Sequence, residues 1–321
     1  MMENMYAPAN KSAVELDAEH DENELDQILK RSFRPRTDEA SDAVRRAVGT
    51  LMDYASSNKM TVSRDVVLTV ESLIAEIDDK ISRQVNEILH HAEFKKLESS
   101  WRGLDYLVAN TEANEHLKIR VLNISKDELA RNLRRYRGAA WDQSPIFKQI
   151  YEYEYGQFGG EPFGCLIGDF EFDHSQQSVS LLTEMAKIAA ASHCPFVSSA
   201  SPSLMQMSHW NELANPRDIG KIFSTPEYAA WRSLRTSNDS RYLVLTMPRF
   251  LSRLPYGAMT NPVEEFAFEE TVRPERVDDF AWANSAYAMG VNINRAFHQY
   301  GWCSRIRGIE SGGGVEELPA Y

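Results

Sequence analysis

Cysteine is scarce in this chain: three residues in 321, Cys165, Cys194 and Cys303. An odd number at wide spacing excludes a disulfide framework and a zinc knuckle, and a reducing compartment is expected. Positive charge is short as well. Lys and Arg number 35 against 47 Asp and Glu, for a formal net charge of −12. Binding to phosphate backbones or anionic lipid needs clustered basic residues, so no nucleic-acid partner is expected. The one dense basic run, residues 131–137 (RNLRRYR), reads as the solvated end of a helix. No uninterrupted apolar stretch reaches the ~18 residues of a membrane span, so membrane insertion is not expected. The first residues show neither the charged start nor the apolar run of a secretory signal. The resulting expectation is a soluble, cytoplasmic protein.

Catalytic motifs are equally short in supply. There is no His-Glu-x-x-His and no Cys-x-x-Cys. The glycines Gly159, Gly160, Gly164 and Gly168 lead into Asp169-Phe170-Glu171, and carboxylates there would repel phosphate, so a turn before a strand is expected in place of a phosphate loop. His193-Cys194 lacks a base placed to activate the thiol, and Cys194 reads as a small core residue. Asp173-His174-Ser175 holds three triad residue types, but neighbours in sequence cannot line up as a relay; a turn before a helix is expected. His90 and His91 lie at a helix break about 100° apart and read as a solvated or capping pair, not as ligands of one ion. No cofactor, metal or catalytic residue is expected.

What is present is a change of character along the chain. Residues 1–20 are polar and acidic and read as a disordered arm. Residues 22–33 are expected to form an amphipathic helix, with Asp21 and Glu24 as a capping box and Leu25, Ile28, Leu29 and Phe33 on one stripe. Pro35 ends it. A helix this short is marginal alone and needs a surface, either its own domain or another protein's groove. Further helices are expected at 38–56 and over 63–109, the latter broken before Glu93. Alternation then predicts a strand at 117–123 (LKIRVLN). Ser125 with Glu128 caps a helix to about 137, and Ser144-Pro145 opens another to about 156. A buried strand at 163–167, a helix at 178–192 and a strand at 195–199 make a parallel βαβ unit. A strand at 241–246 and a long helix at 278–300 follow. The fold class is therefore mixed α+β or α/β: an arm at 1–36, a helical region at 37–110 and an α/β domain at 111–321.

Five ordered segments carry a resemblance. They are 87–108 (EILHHAEFKKLESSWRGLDYLV), 117–125 (LKIRVLNIS), 160–172 (GEPFGCLIGDFEF), 212–257, which is dense in Pro, Arg and aromatic residues and specifies shape more than reaction chemistry, and 300–319 (YGWCSRIRGIESGGGVEELP). Together they resemble the large subunit of the type VI secretion contractile sheath, the TssC/VipB family. The resemblance implies a structural subunit and no enzyme. It implies pairing with a small subunit of the TssB/VipA kind and with further copies in a helical lattice around an Hcp-like inner tube. It also implies disassembly by a ClpV-like AAA+ ATPase that recognises a short N-terminal helix, here Leu25, Ile28, Leu29 and Phe33. The family's large subunit continues past the Gly-Gly-Gly segment, so the chain is expected to lack the C-terminal third. The alternative is an α/β nucleotide-binding or enzymatic domain using the crevice at the sheet's C-terminal edge.

Overall fold

The computed structural model describes residues 38–57, 66–214, 218–264, 266–306, 314, 315 and 318. Two compact units divide the chain, Met1–Lys80 and Ile81–Tyr321. In the first, helix α1 runs Asp38–Ser57, as the apolar spacing predicts. Helix α2 (Val66–Leu89) begins there and carries an i,i+4 pair, Glu76–Lys80 at 2.8 Å, of the exposed kind that contributes about 0.3–0.5 kcal/mol.

In the second unit the chain leaves the helix at His90 and restarts as α3 (Ala92–Ala109), with His91 in extended geometry at the N-cap. Helix α4 (Lys126–Arg135) has the expected capping box: Ser125 Oγ accepts from the Glu128 N–H, and Glu128 accepts from the Ser125 N–H. Asp127 and Glu128 in its first turn and Arg134 and Arg135 in its last complement the helix dipole. Ser144 caps the next helical run at Pro145, again as expected.

A parallel three-stranded sheet forms the centre, in the order β1 (Leu166–Phe172), β2 (Phe196–Ala200), β3 (Leu243–Thr246). Helix α5 (Gln176–Ala191) connects β1 to β2 and completes the predicted βαβ unit. Side chains alternate along β1. Leu166, Phe170 and Phe172 face a large apolar cluster built with α4, α5 and α6 (Ala229–Thr236). Ile167 faces a second cluster on the opposite side, formed with Leu107 of α3, Phe250 of β4 (Phe250–Leu251), Ala283 of β5 (Trp282–Ala283), and Tyr287 and Val291 of α7 (Ser285–Tyr300). The sheet is thus covered on both faces, as parallel sheets are. Glycine sets the spacing on the second face. A Cβ at Gly290 would strike Ile167, and one at Gly103 would strike the Tyr287 ring, so α7 lies tight against both β1 and α3.

Three expectations need correction. The segment 117–123 belongs to no sheet. Ile119 reaches the second cluster, but the alternation stops there: Val121 and Leu122 are 69% and 54% exposed, so the segment presents no continuous apolar face to pack as a strand of the sheet. Next, β1 starts at Leu166 and runs through Gly168, which sits in the strand and not in a turn before it; a Cβ there would stand 2.7 Å from the Phe196 ring. Finally, α7 begins at Ser285, not near Asp278. Asn284 caps it by accepting from the Ala286 N–H, and Asp279 upstream is drawn into bonds with Arg273.

Candidate interaction site

The crevice beyond the carboxyl ends of the strands is the first place to look for a ligand in a sheet of this kind. Protein groups occupy it. Ser285 Oγ bonds Thr246 Oγ1 at 2.8 Å and Ser199 Oγ at 3.4 Å, and Ser199 Oγ also donates to the Thr246 carbonyl. Asn284 ties the start of α7 to β1. Asp173 accepts from the Ser175 backbone and hydroxyl and shapes the turn into α5, as the sequence suggested for Asp-His-Ser. The rings of Tyr228 and Trp210 are fully buried beside it, with His174 stacked on Tyr228 at 4.4 Å. The thiols are equally unsuited to attack: burial pushes both Cys165 and Cys194 up to about 12.

Charge is concentrated elsewhere, where α3 meets the irregular chain between β4 and β5. Arg253 is nearly buried and holds two carboxylates at once: Glu98 of α3 at 2.6 Å and Glu270 at 2.5 Å. Arg102, one turn along α3, bonds Glu98 at 2.8 Å and the Tyr256 hydroxyl at 2.8 Å. The Arg253 guanidinium also lies 4.3 Å over the Tyr256 ring. Glu270 accepts from the Tyr256 N–H. Burial raises the Glu98 carboxyl, but the bonds from Arg253 and Arg102 outweigh it and hold the group below its usual range. Burial lowers Arg253, and the paired carboxylates more than reverse this, raising it further above its ordinary value. Both partners therefore stay charged. Such a group can clamp two chain segments together but is a poor proton donor or acceptor near neutral pH.

Further bonds extend the clamp. Asn86 Nδ2 donates to the Glu269 carbonyl, and Asn86 Oδ1 accepts from the Thr271 N–H. Lys95 Nζ donates to the Asp278 carbonyl. Arg273 grips Asp279 at 2.7 Å. His90 is half-buried with Nε2 3.4 Å from Glu270 Oε1, close enough for an ion pair when protonated but without hydrogen-bond geometry. It is not the solvated residue that the sequence suggested, whereas His91 is exposed at the α3 N-cap. Sequence reasoning missed the clamp because Glu98 and Arg253 are 155 positions apart. The expected partner-binding stripe of Leu25, Ile28, Leu29 and Phe33 lies outside the described residues.

Two comparisons bear on identity. The VipB family model, described as EvpB/VC_A0108, tail sheath N-terminal domain, matches residues 71–321. The chain is also 61% identical over 299 residues to the type VI secretion system sheath protein TssC1 of Pseudomonas aeruginosa, an alignment that covers 93% of this chain and 60% of that protein. The chain thus spans about three-fifths of the length of the curated relative it matches. A family model covering more than three-quarters of the chain, joined to identity of this extent, leads to one conclusion: the chain belongs to the VipB tail sheath family.

Proposed function

We propose that this chain is a large sheath subunit, a structural protein of a cytoplasmic contractile sheath that surrounds an inner tube and contracts to drive type VI secretion. The observation that carries this is the 61% identity to a sheath protein of such a system. The arrangement of charge agrees, since the buried groups around Arg253 join segments and present no reacting pair. Nothing in the filled crevice favours the nucleotide-binding alternative. The partners follow from the family: a small subunit of the TssB/VipA kind and further copies of this chain, then an Hcp-like inner tube and a ClpV-like ATPase. The division into an arm at 1–36, a helical region at 37–110 and an α/β domain at 111–321 belongs to the same proposal.

A sliding lattice must stay connected while its rigid faces part. Extended arms that add a strand to a neighbour's sheet meet that need, because their backbone bonds travel with a flexible tether. Each such bond contributes only ~1 kcal/mol net, and repetition over the lattice supplies the strength. Contraction then draws on a metastable extended lattice, with no nucleotide hydrolysis by this chain. Coexpression with a small sheath subunit tests the proposal. Heterodimers or tubules in negative-stain images are expected. A polypeptide that never associates with that companion, even when extended to the full length of its relative, and that turns over a nucleotide instead, would overturn it. For the ATPase, replacing Leu25 and Leu29 by Asp is expected to weaken binding with the fold intact; unchanged affinity in a titration would remove those residues from the handle.

A further inference from the structure

We propose that the groove beside the C-terminal end of α5 receives an arginine side chain of another protein chain. The groove has a volume of about 410 Å³ and is lined by Gly138, Trp141, Lys187, Ala190, Ala191 and Asp239. That volume lies in the range of ligand sites and is ample for one long side chain. Three stretches far apart in sequence build it: the turn Gly138–Gln143, the last turns of α5, and the turn Asp239–Tyr242 that leads into β3. Small residues keep it open. Ala190 and Ala191 line it with methyl groups only, and Gly138 stands at a left-handed φ of 72° where an added Cβ would meet nothing. Trp141 is fixed in place, since its ring meets Phe147 edge-on at 4.9 Å and packs on the first cluster.

The lining is rich in acceptors and short of free donors, and this selects a cation. Asp239 is half-buried, and its carboxylate takes part in no hydrogen bond or ion pair among the described residues. Lys187 is the one base of the lining, and it is engaged: its ammonium donates to both oxygens of Glu184 at 3.0 Å. That pair is neutral, so Asp239 is the uncompensated charge of the groove. The basic residues next to the rim in sequence are turned to other partners, Arg137 to Ser180 and Arg241 to Asn238. Helix α5 adds to the negative side. Its last turn carries no basic residue, and the Ala191 carbonyl accepts no bond, because the residue four positions on is Pro195, which has no N–H. A helix end of this kind carries partial negative charge. Trp141 supplies an indole, the ring that attracts cations most strongly. A guanidinium answers all of these at once. It is planar, always charged, stacks on aromatic rings and holds five N–H donors in a fork that matches a carboxylate. A carboxylate or phosphate would instead meet Asp239 and the end of α5, which excludes acidic segments and nucleic acid. The apolar stem of an arginine packs along Ala190 and Ala191 while its head reaches Asp239. Nothing in this assignment depends on the sheath proposal.

Two short peptides test it: acetyl-Ala-Arg-Ala-amide, and the same peptide with citrulline, which keeps the shape of arginine and loses its charge. Each is titrated into the full chain and followed by the Trp141 indole N–H signal in proton–nitrogen NMR spectra. That signal is identified among those of the six tryptophans by its loss in Trp141→Phe. The arginine peptide is expected to move it saturably and to bind at least about tenfold more tightly than the citrulline peptide. Asp239→Asn keeps the shape of the lining and is expected to remove that preference, with the other indole signals in place as evidence of an intact fold. Ala190→Leu narrows the groove without touching its charge and is expected to weaken the arginine peptide as well. Asp142→Asn, at a half-buried carboxyl next to Trp141 in sequence but outside the lining, is the control that keeps the preference. No shift with the arginine peptide, equal binding of the two peptides, or a preference that survives Asp239→Asn would each overturn the proposal. So would tighter binding of free L-arginine than of the peptide, which would make the groove a site for a small molecule and not for a protein chain.

Discussion

The two faces of the sheet are closed by different forces. On one, α4, α5 and α6 seal β1 and β2 chiefly with apolar and aromatic contacts: Phe172, Leu182, Ile188, Trp210 and Tyr228 are 1% exposed or less, the Tyr228 hydroxyl bonds the Leu204 carbonyl, and Lys126 of α4 lies over the Phe172 ring. On the other, α7 is pinned to β1 and α3 by glycine-permitted close approach, and the rim is closed by Arg253 between two carboxylates. The first face tolerates change of shape poorly but depends on no single pair of groups. The second depends on charge balance, because a buried ion pair gives little net stability while it is whole and leaves a costly uncompensated charge when it is broken.

The sharpest way to break this contrast is Arg253→Met. It leaves Glu98 and Glu270 without their shared guanidinium, and the expected loss is about 3–5 kcal/mol in urea unfolding followed by tryptophan fluorescence. Adding Glu270→Gln to that variant is expected to restore part of the loss, since it removes a charge that no longer has a partner. A single variant as stable as the parent would show that the two carboxylates are solvated, and that both faces are held by apolar contacts alone.

How much of this was legible in the sequence follows the same division. The first face is built from local signals. Ser125 and Glu128 announce α4, Ser144-Pro145 announces the next helical run, and the apolar runs around α5 announce the βαβ unit; all three form, with only the first strand displaced, to Leu166–Phe172. The second face rests on contacts between residues far apart in the chain. Nothing local marks Glu98, Arg253 and Glu270 as one group. Nothing local shows that 117–123 joins no sheet. Asp278 and Asp279 carry the acidic signature of a helix start, yet Arg273 draws Asp279 into a turn and Asn284 takes the cap. The apolar stripe Phe94, Leu97, Trp101 and Val108 on α3 is the opposite case, since its spacing is plain in the sequence while its exposure is not. Only the structure separates its open face from its buried one.

Gly103→Ala probes the close approach. Its added methyl would meet the Tyr287 ring, and either the ring turns or α3 lifts from α7. Overpacking of this kind is expected to remove about 1–3 kcal/mol, less than the loss of Arg253. Tyr287→Leu in the same chain is expected to relieve the clash. If the double variant is no more stable than Gly103→Ala alone, the ring is not what limits the approach of the two helices.

The smallest effect expected is one of pH, and it separates the faces without changing a contact. The Glu98 carboxyl is held below its ordinary value of 4.5 in the folded protein. A depressed folded value means that the unfolded chain binds the proton more readily. The stabilisation is therefore fully present above about pH 4.5 and drains away as pH falls through the lower, folded value. Asp279 acts in the same sense from 3.8 downward, chiefly through its bond to Arg273. Glu98→Gln has no proton to gain at this position, so its urea midpoint is expected to fall less steeply between pH 5 and pH 3 than that of the parent, even though it starts lower at neutral pH. Parallel slopes would mean that acid acts on the two faces alike, and that the guanidinium bridge is not where the second face yields first.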